Sequence, residues 1–185
     1  MQLAAFAFDY DGTLAHEGCV AESTVGALRR LRAAGPRLLL VTGRELAELQ
    51  RIFARYDLFD AIVAENGALL YQPALHEERS LGPAPPEALL RALRARNVQP
   101  MSVGRSIIAT FRPHETQLLT AIHECGLEWQ IIFNKSAVMC LPPGINKASG
   151  LRAALAALGL SPLNVVGVGD AENDHAMLEA CGYRV

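Results

Sequence analysis

The chain has 185 residues, 51% of them hydrophobic and 19% charged, with a formal net charge of −2. That length buries a substantial core, either in one domain or in a domain carrying an insert. The balance offers no basic surplus for nucleic acid and no apolar run of membrane-spanning length.

The amino terminus has no cationic segment ahead of its short apolar run, which speaks against a secretory signal and for a cytoplasmic protein. Cys19, Cys125, Cys140 and Cys181 show no C-x-x-C spacing and read as reduced, structural thiols. The five histidines, His16, His76, His114, His123 and His175, form no partner pattern and read as surface or filler.

The first element is an uninterrupted apolar run at 3–8, the pattern of a strand buried on both faces. It ends in Asp9-Tyr10-Asp11-Gly12-Thr13. Two residues apart on extended backbone, Asp9 and Asp11 leave the same side, while Tyr10 points to the other and packs. Gly12 then permits a sharp turn. Two like charges a few ångströms apart repel by about 4 kcal/mol at an effective dielectric of roughly 20. Such a pair persists when a cation sits between its members or when one works protonated. The plainer reading is a strand ending in an acidic turn.

A loop and a helix at 21–34 follow, closed by Gly35-Pro36. A second buried strand is expected at 37–41, stopping at Thr42-Gly43-Arg44, then a helix at 45–56 and a third strand at 61–64 ending in Glu65-Asn66-Gly67. Past the middle of the chain come a helix at 147–158, a strand at 164–168, the loop opened by Gly169-Asp170, and a last helix near 173–180. Strands alternating with helices imply parallel pairing in a doubly wound α/β sheet. In such sheets functional loops gather at the carboxyl ends of the strands. Asp9, Asp11, Thr42 and Asp170 all occupy those ends.

The middle breaks the rhythm. Helices at 87–96 and 115–124 alternate with hairpins at 99–111 and 128–141, which turn at Gly104-Arg105 and Asn134-Lys135. This order of helix, hairpin, helix, hairpin reads as a small α+β cap at 83–142, inserted into a core made of 1–82 and 143–185.

Taken together, these segments resemble the haloacid dehalogenase superfamily. Asp9-Tyr10-Asp11-Gly12-Thr13-Leu14 looks like its first motif and Val41-Thr42-Gly43-Arg44 like its second. Lys147 in Gly144-Ile145-Asn146-Lys147 is similar to the third, and Gly169-Asp170-Ala171-Glu172-Asn173-Asp174 to the fourth. With Glu65-Asn66-Gly67-Ala68 and the insert between motifs two and three, the pattern resembles the Cof-type branch with a small type-IIB cap. Any one motif is weak; four in order are specific.

The resemblance implies a magnesium-dependent phosphatase acting on a small-molecule phosphate ester. Magnesium prefers hard oxygen ligands, and the expected metal set is Asp9, Asp11 through its backbone carbonyl, Asp170 and Asp174. Asp9 is the implied nucleophile and Asp11 the implied acid and base. Lys147, Thr42 and Gly43 are expected to bind the phosphoryl group. Asn173 and Asp174 are also placed to orient bound water or Lys147. Plainer readings stand beside these: Thr42 as a helix cap, Lys147 as a solvated helix residue, and Asp170, Asn173 and Asp174 as caps of the last helix.

The cap is expected to act as a lid. On a strand at 106–112, Ser106, Thr110 and Arg112 share one face, expected to meet the cleft, while Ile107, Ala109 and Phe111 pack under the cap helices. Arg112 is then a candidate for binding a second anionic group on the substrate, with Arg105 and Lys135 as alternatives. Resemblance also implies that the family continues beyond 181–185 with a further strand, so a truncated sheet edge covered by a homodimer or another domain is expected. A phosphomutase would use the same four motifs, and a binding module of a longer polypeptide is the non-enzymatic alternative.

Overall fold

The computed structural model describes residues 3–185. In chain order the first half contains β1 (Ala5–Phe8), β2 (Ala15–His16), β3 (Cys19–Val20), α1 (Glu22–Ala33), β4 (Arg37–Val41), α2 (Leu46–Ile52), β5 (Ala61–Ala64), β6 (Leu69–Gln72) and β7 (Glu77–Ser80). Then come α3 (Glu87–Ala95), β8 (Ser102–Val103), β9 (Ile108–Phe111), α4 (Glu115–Glu124), β10 (Gln130–Asn134) and β11 (Ala137–Leu141). The chain finishes with α5 (Lys147–Ala157), β12 (Val165–Val168), α6 (His175–Glu179) and β13 (Tyr183–Arg184).

Among the described residues, one sheet has the order β13-β12-β1-β4-β5-β6-β7. Its first five strands pair in parallel, as alternation with helices requires. Successive residues of β4 point to opposite layers: Leu38 and Leu40 pack toward Val25, Leu28 and Leu49, while Leu39 and Val41 pack toward Leu151, Ala154 and Met177. Helices therefore cover both faces, which is why β4 reads as an unbroken apolar run. Chain order reverses at β1, which has β4 on one side and β12 on the other. That reversal opens a crevice beyond the carboxyl ends of the strands.

Two features depart from a purely parallel sheet. β6 pairs antiparallel with β5, and β7 antiparallel with β6, extending one edge. At the other edge β13 pairs in parallel with β12. The helix expected at 45–56 ends at Ile52. Phe53 leaves helical geometry at φ −130° and buries its ring against Tyr10 and Phe59. Residues Tyr56–Leu58 form only a 3-10 turn.

The second sheet has the order β10-β11-β9-β8, all antiparallel. Two hairpins joined through β9 and β11 make it, with α3 and α4 on one face. Leu89, Leu93, Leu118, Ile108 and Val138 form the core between sheet and helices. The other face of this sheet looks back toward β1 and β4. Ile107, Met139 and Leu141 pack there with Ala68 of the main body. No helix of the described residues is long and apolar enough to cross a membrane.

Candidate active site

Asp9 follows β1 directly, on the side of the sheet covered by α5. Alternation along β1 puts Ala5 and Ala7 in the layer of Leu151 and Ala154, and Asp9 continues that face. Tyr10 takes the opposite side, fully buried, with its hydroxyl donating to the Gly18 carbonyl at 3.0 Å.

Lys147 is the first residue of α5. Asn146 caps that helix, its side chain accepting from the Ser149 amide at 2.9 Å while the Ser149 hydroxyl accepts from the Asn146 amide at 2.9 Å. Gly67 makes the approach of this helix start to β5 possible: a Cβ there, at φ +108°, would lie 2.0 Å from the Asn146 carbonyl oxygen. A cation at a helix amino terminus is opposed by the backbone dipoles, and Lys147 is only 1% exposed. Two carboxylates compensate. The Lys147 ammonium donates to Asp9 Oδ1 at 2.5 Å and to Asp174 Oδ1 at 2.6 Å. The solvated-helix reading of Lys147 is thereby excluded.

Asp174 is fully buried, and its Oδ2 accepts the backbone amides of Asp170 at 3.2 Å and Ala171 at 3.0 Å. It therefore ties the loop after β12 to Lys147. Asp170 is exposed and leans over Gly12, with the Thr13 hydroxyl donating to its Oδ1 at 3.1 Å. One carboxylate oxygen from each of Asp9, Asp170 and Asp174 lies within 4.8 Å of the others. Three hard oxygen donors at this spacing suit a divalent cation of the magnesium type. Burial pushes the Asp9 carboxyl above its ordinary value; Lys147 opposes that shift and the Asp174 charge adds to it.

Asp11 sits apart from this triad. Its two oxygens accept from Arg44 Nε and Nη2 at 2.7 and 2.8 Å, a bidentate pair. Arg44 also pairs with Glu48 and lies over the Tyr10 ring at 5.6 Å. The hydrogen bonds that Arg44 donates to Asp11 raise the Arg44 pKa, so this guanidinium stays charged. Thr42 is buried, its hydroxyl oxygen accepting from the Arg44 amide at 3.1 Å, which leaves the hydroxyl proton free for another acceptor. Asn173 donates from Nδ2 to Asn66 Oδ1 at 3.2 Å, and its own Oδ1 is enclosed without a partner.

A cavity of about 460 Å³ lies between the two sheets. Asp9, Asp11, Gly43 and Arg44 line its floor, and residues of β9, β10 and β11 form its opposite wall. The wall inverts the expected facing of β9. Ile107, Ala109 and Phe111 look into the cavity, whereas Ile108 is buried among the residues of α3 and α4. Ser106 and Thr110 satisfy backbone carbonyls instead, the hydroxyls donating to Gly82 at 2.8 Å and Pro100 at 2.7 Å. Arg112 shares the face of Ile108, away from the cleft, and lies over the Phe133 ring at 4.9 Å. It is therefore not placed to meet substrate.

One contact had no counterpart in the sequence reading. Glu65, at the end of β5, is buried, and its two oxygens accept the backbone amides of Arg105 and Ser106, both at 2.9 Å. This couples the main body to the β8–β9 turn of the second sheet. Burial raises the Glu65 pKa, against the lowering effect of the two amides.

The chain matches the family described as haloacid dehalogenase-like hydrolase over residues 6–117 and 128–185. It is 30% identical over 191 residues to a phosphoglycolate phosphatase of Methanothermobacter thermautotrophicus, covering 99% of this chain and 84% of the relative. It is 28% identical over 223 residues to an HMP-PP phosphatase of Cronobacter sakazakii, covering 95% and 80%. Among solved structures, a haloacid dehalogenase-like hydrolase from Bacteroides thetaiotaomicron superposes with a TM-score of 0.78 at 18% identity, over 98% of this chain and 86% of that one. A HAD subclass IIB sugar phosphatase superposes with a TM-score of 0.76 at 18% identity, with the same coverage.

Proposed function

The chain belongs to the haloacid dehalogenase-like hydrolases, in their Cof-type branch, and is a phosphatase; from that premise we propose a magnesium-dependent hydrolase of a small phosphate monoester that works through an aspartyl-phosphate. The supporting observation is the convergence of Lys147, Asp170 and Asp174, from the end of the chain, on Asp9 near its start, where Asp9 lines the floor of the cavity.

A carboxylate attacking a phosphate dianion needs neighbouring positive charge. Magnesium, held by Asp9, Asp170 and the Asp11 backbone carbonyl, would supply part of it by drawing charge from the phosphoryl oxygens. Lys147 supplies a permanent charge beside Asp9. Asp174 fixes the ammonium from the far side and limits its freedom to swing away. The free proton of Thr42 and the backbone amide of Gly43 serve as donors to phosphoryl oxygens.

In this reading an oxygen of Asp9 forms a bond to phosphorus as the bond to the leaving alcohol breaks. Asp11 gives its proton to that alcohol, then takes one from the water that cleaves the aspartyl-phosphate. Arg44 holds Asp11 beside the cavity floor through both carboxyl oxygens, so acting as the acid requires one of these bonds to open and make room for the proton. Release of inorganic phosphate from acetyl phosphate and from a broad ester panel tests the proposal. Turnover is expected with magnesium, is expected to stop with a chelator, and is expected to vanish in Asp9→Asn. Undiminished turnover in Asp9→Asn would overturn it.

A further inference from the structure

The wall opposite the phosphoryl site has a distinct chemistry. Ile107, Ala109, Phe111 and Met139 present it with hydrocarbon, an aromatic ring and a thioether. Phe111 is 49% exposed and has a ring face free for stacking. The rim is acidic, with Glu45 and Glu48 joining Asp9 and Asp11 around the cavity. Arg44 is the one cation among the described lining residues, and Asp11 and Glu48 already occupy it. A leaving group carrying a carboxylate therefore meets like charge and no free cation. A polyol meets few free hydrogen-bonding groups, because Thr110 bonds the Pro100 carbonyl and Ser102 bonds Glu45. Asn134 lines the cavity too, but its Oδ1 is enclosed and faces no open space. At about 460 Å³ the space also exceeds what a two-carbon leaving group fills.

We propose that the organic part of the substrate is an uncharged or cationic ring, stacked on Phe111 and Met139, so that aryl or heteroaryl phosphate esters are preferred over carboxylate-bearing or polyol phosphates. The proposal rests on the phosphatase reading for where the phosphate sits. Neither relative reported above fixes this choice by its name.

Calorimetric binding to the whole protein with magnesium tests it, using stable phosphonates as probes. Benzylphosphonate is expected to bind at least tenfold tighter than phosphonoacetate. Phe111→Lys, at an exposed position, is expected to cut the benzyl-to-acetate ratio about tenfold. Equal or reversed affinities, an unchanged ratio in Phe111→Lys, or no binding of any probe would overturn the proposal. Turnover of acetyl phosphate reads the phosphatase assignment separately. Its absence alongside the intact aryl preference would sink the activity and uphold the pocket.

Discussion

Gly12 leaves no room for a side chain because Asp170 fills it: a Cβ on Gly12 would lie 2.3 Å from Asp170 Oδ2. Residue 12 also has φ +101°, a region that other residues enter only with strain. The turn after the first acidic motif and the start of the fourth are thus shaped to each other. Gly12→Ala is expected to displace Asp170 and weaken magnesium binding by about 10–100-fold, the scale seen when the supports of metal ligands are disturbed. Titration calorimetry with magnesium reads this. Unchanged affinity would show that Asp170 tolerates the displacement.

Lys147 neutralises two buried carboxylates at once. Removing one partner from such a group costs about 3–5 kcal/mol. Lys147→Met is expected to lose stability on that scale in urea without divalent cation, and to lose turnover. Added magnesium is expected to restore part of the stability, since a ligand that binds only the folded state shifts unfolding by mass action. Stability equal to that of the parent would mean that Asp9 or Asp174 takes up a proton at little cost.

The proposed role of Asp11 depends on the leaving group. An alkyl alkoxide needs a proton to depart, whereas the acetate leaving acetyl phosphate does not. Asp11→Asn is expected to lower turnover of alkyl esters by about 10²–10⁴-fold, the usual range for a lost general acid. Acetyl phosphate should suffer less in the first step. Equal losses for both substrates would assign Asp11 to positioning alone.

Glu65 gives a pH signature. Burial raises its pKa above the ordinary 4.5, so the folded protein holds that proton more tightly than the unfolded chain. Its contribution is therefore complete below the unfolded value and is lost as pH rises through the folded one. The stability of the parent relative to Glu65→Gln is expected to decline as pH is raised from 4.5 toward neutrality. Urea midpoints of both proteins across that range read the difference. A gap that widens with pH would show that the Arg105 and Ser106 amides outweigh desolvation.

What could be read from sequence follows burial. β4 and β5 were legible to the residue because strands covered on both faces must be apolar throughout. β7, Glu-Glu-Arg-Ser, is exposed along its whole length at a sheet edge and carries no such pattern. In β9, alternation identified which residues share a face but not which face meets the helices. Ile108 decides that through partners in α3, α4 and β11. The same ambiguity placed Arg112 in the cleft. At the site, Asp9, Lys147, Asp170 and Asp174 were recognisable because they lie in ordered motifs, and the structure draws them together. Glu65 was not, because its value as an acceptor depends on backbone amides 40 and 41 residues further on. Arg44 lies inside the second motif, yet its pairing with Asp11 spans 33 residues and leaves no local trace.

The parallel pairing of β1 with β12 has a consequence for how this protein is made. Asp9 meets its ammonium partner 138 positions further along the chain. On the proposed mechanism, a nascent chain gains turnover only once residues 147–174 have emerged and β12 has zipped onto β1. Long-range parallel registration is slow to nucleate, so regained turnover after dilution from denaturant would time the docking of β12 onto β1.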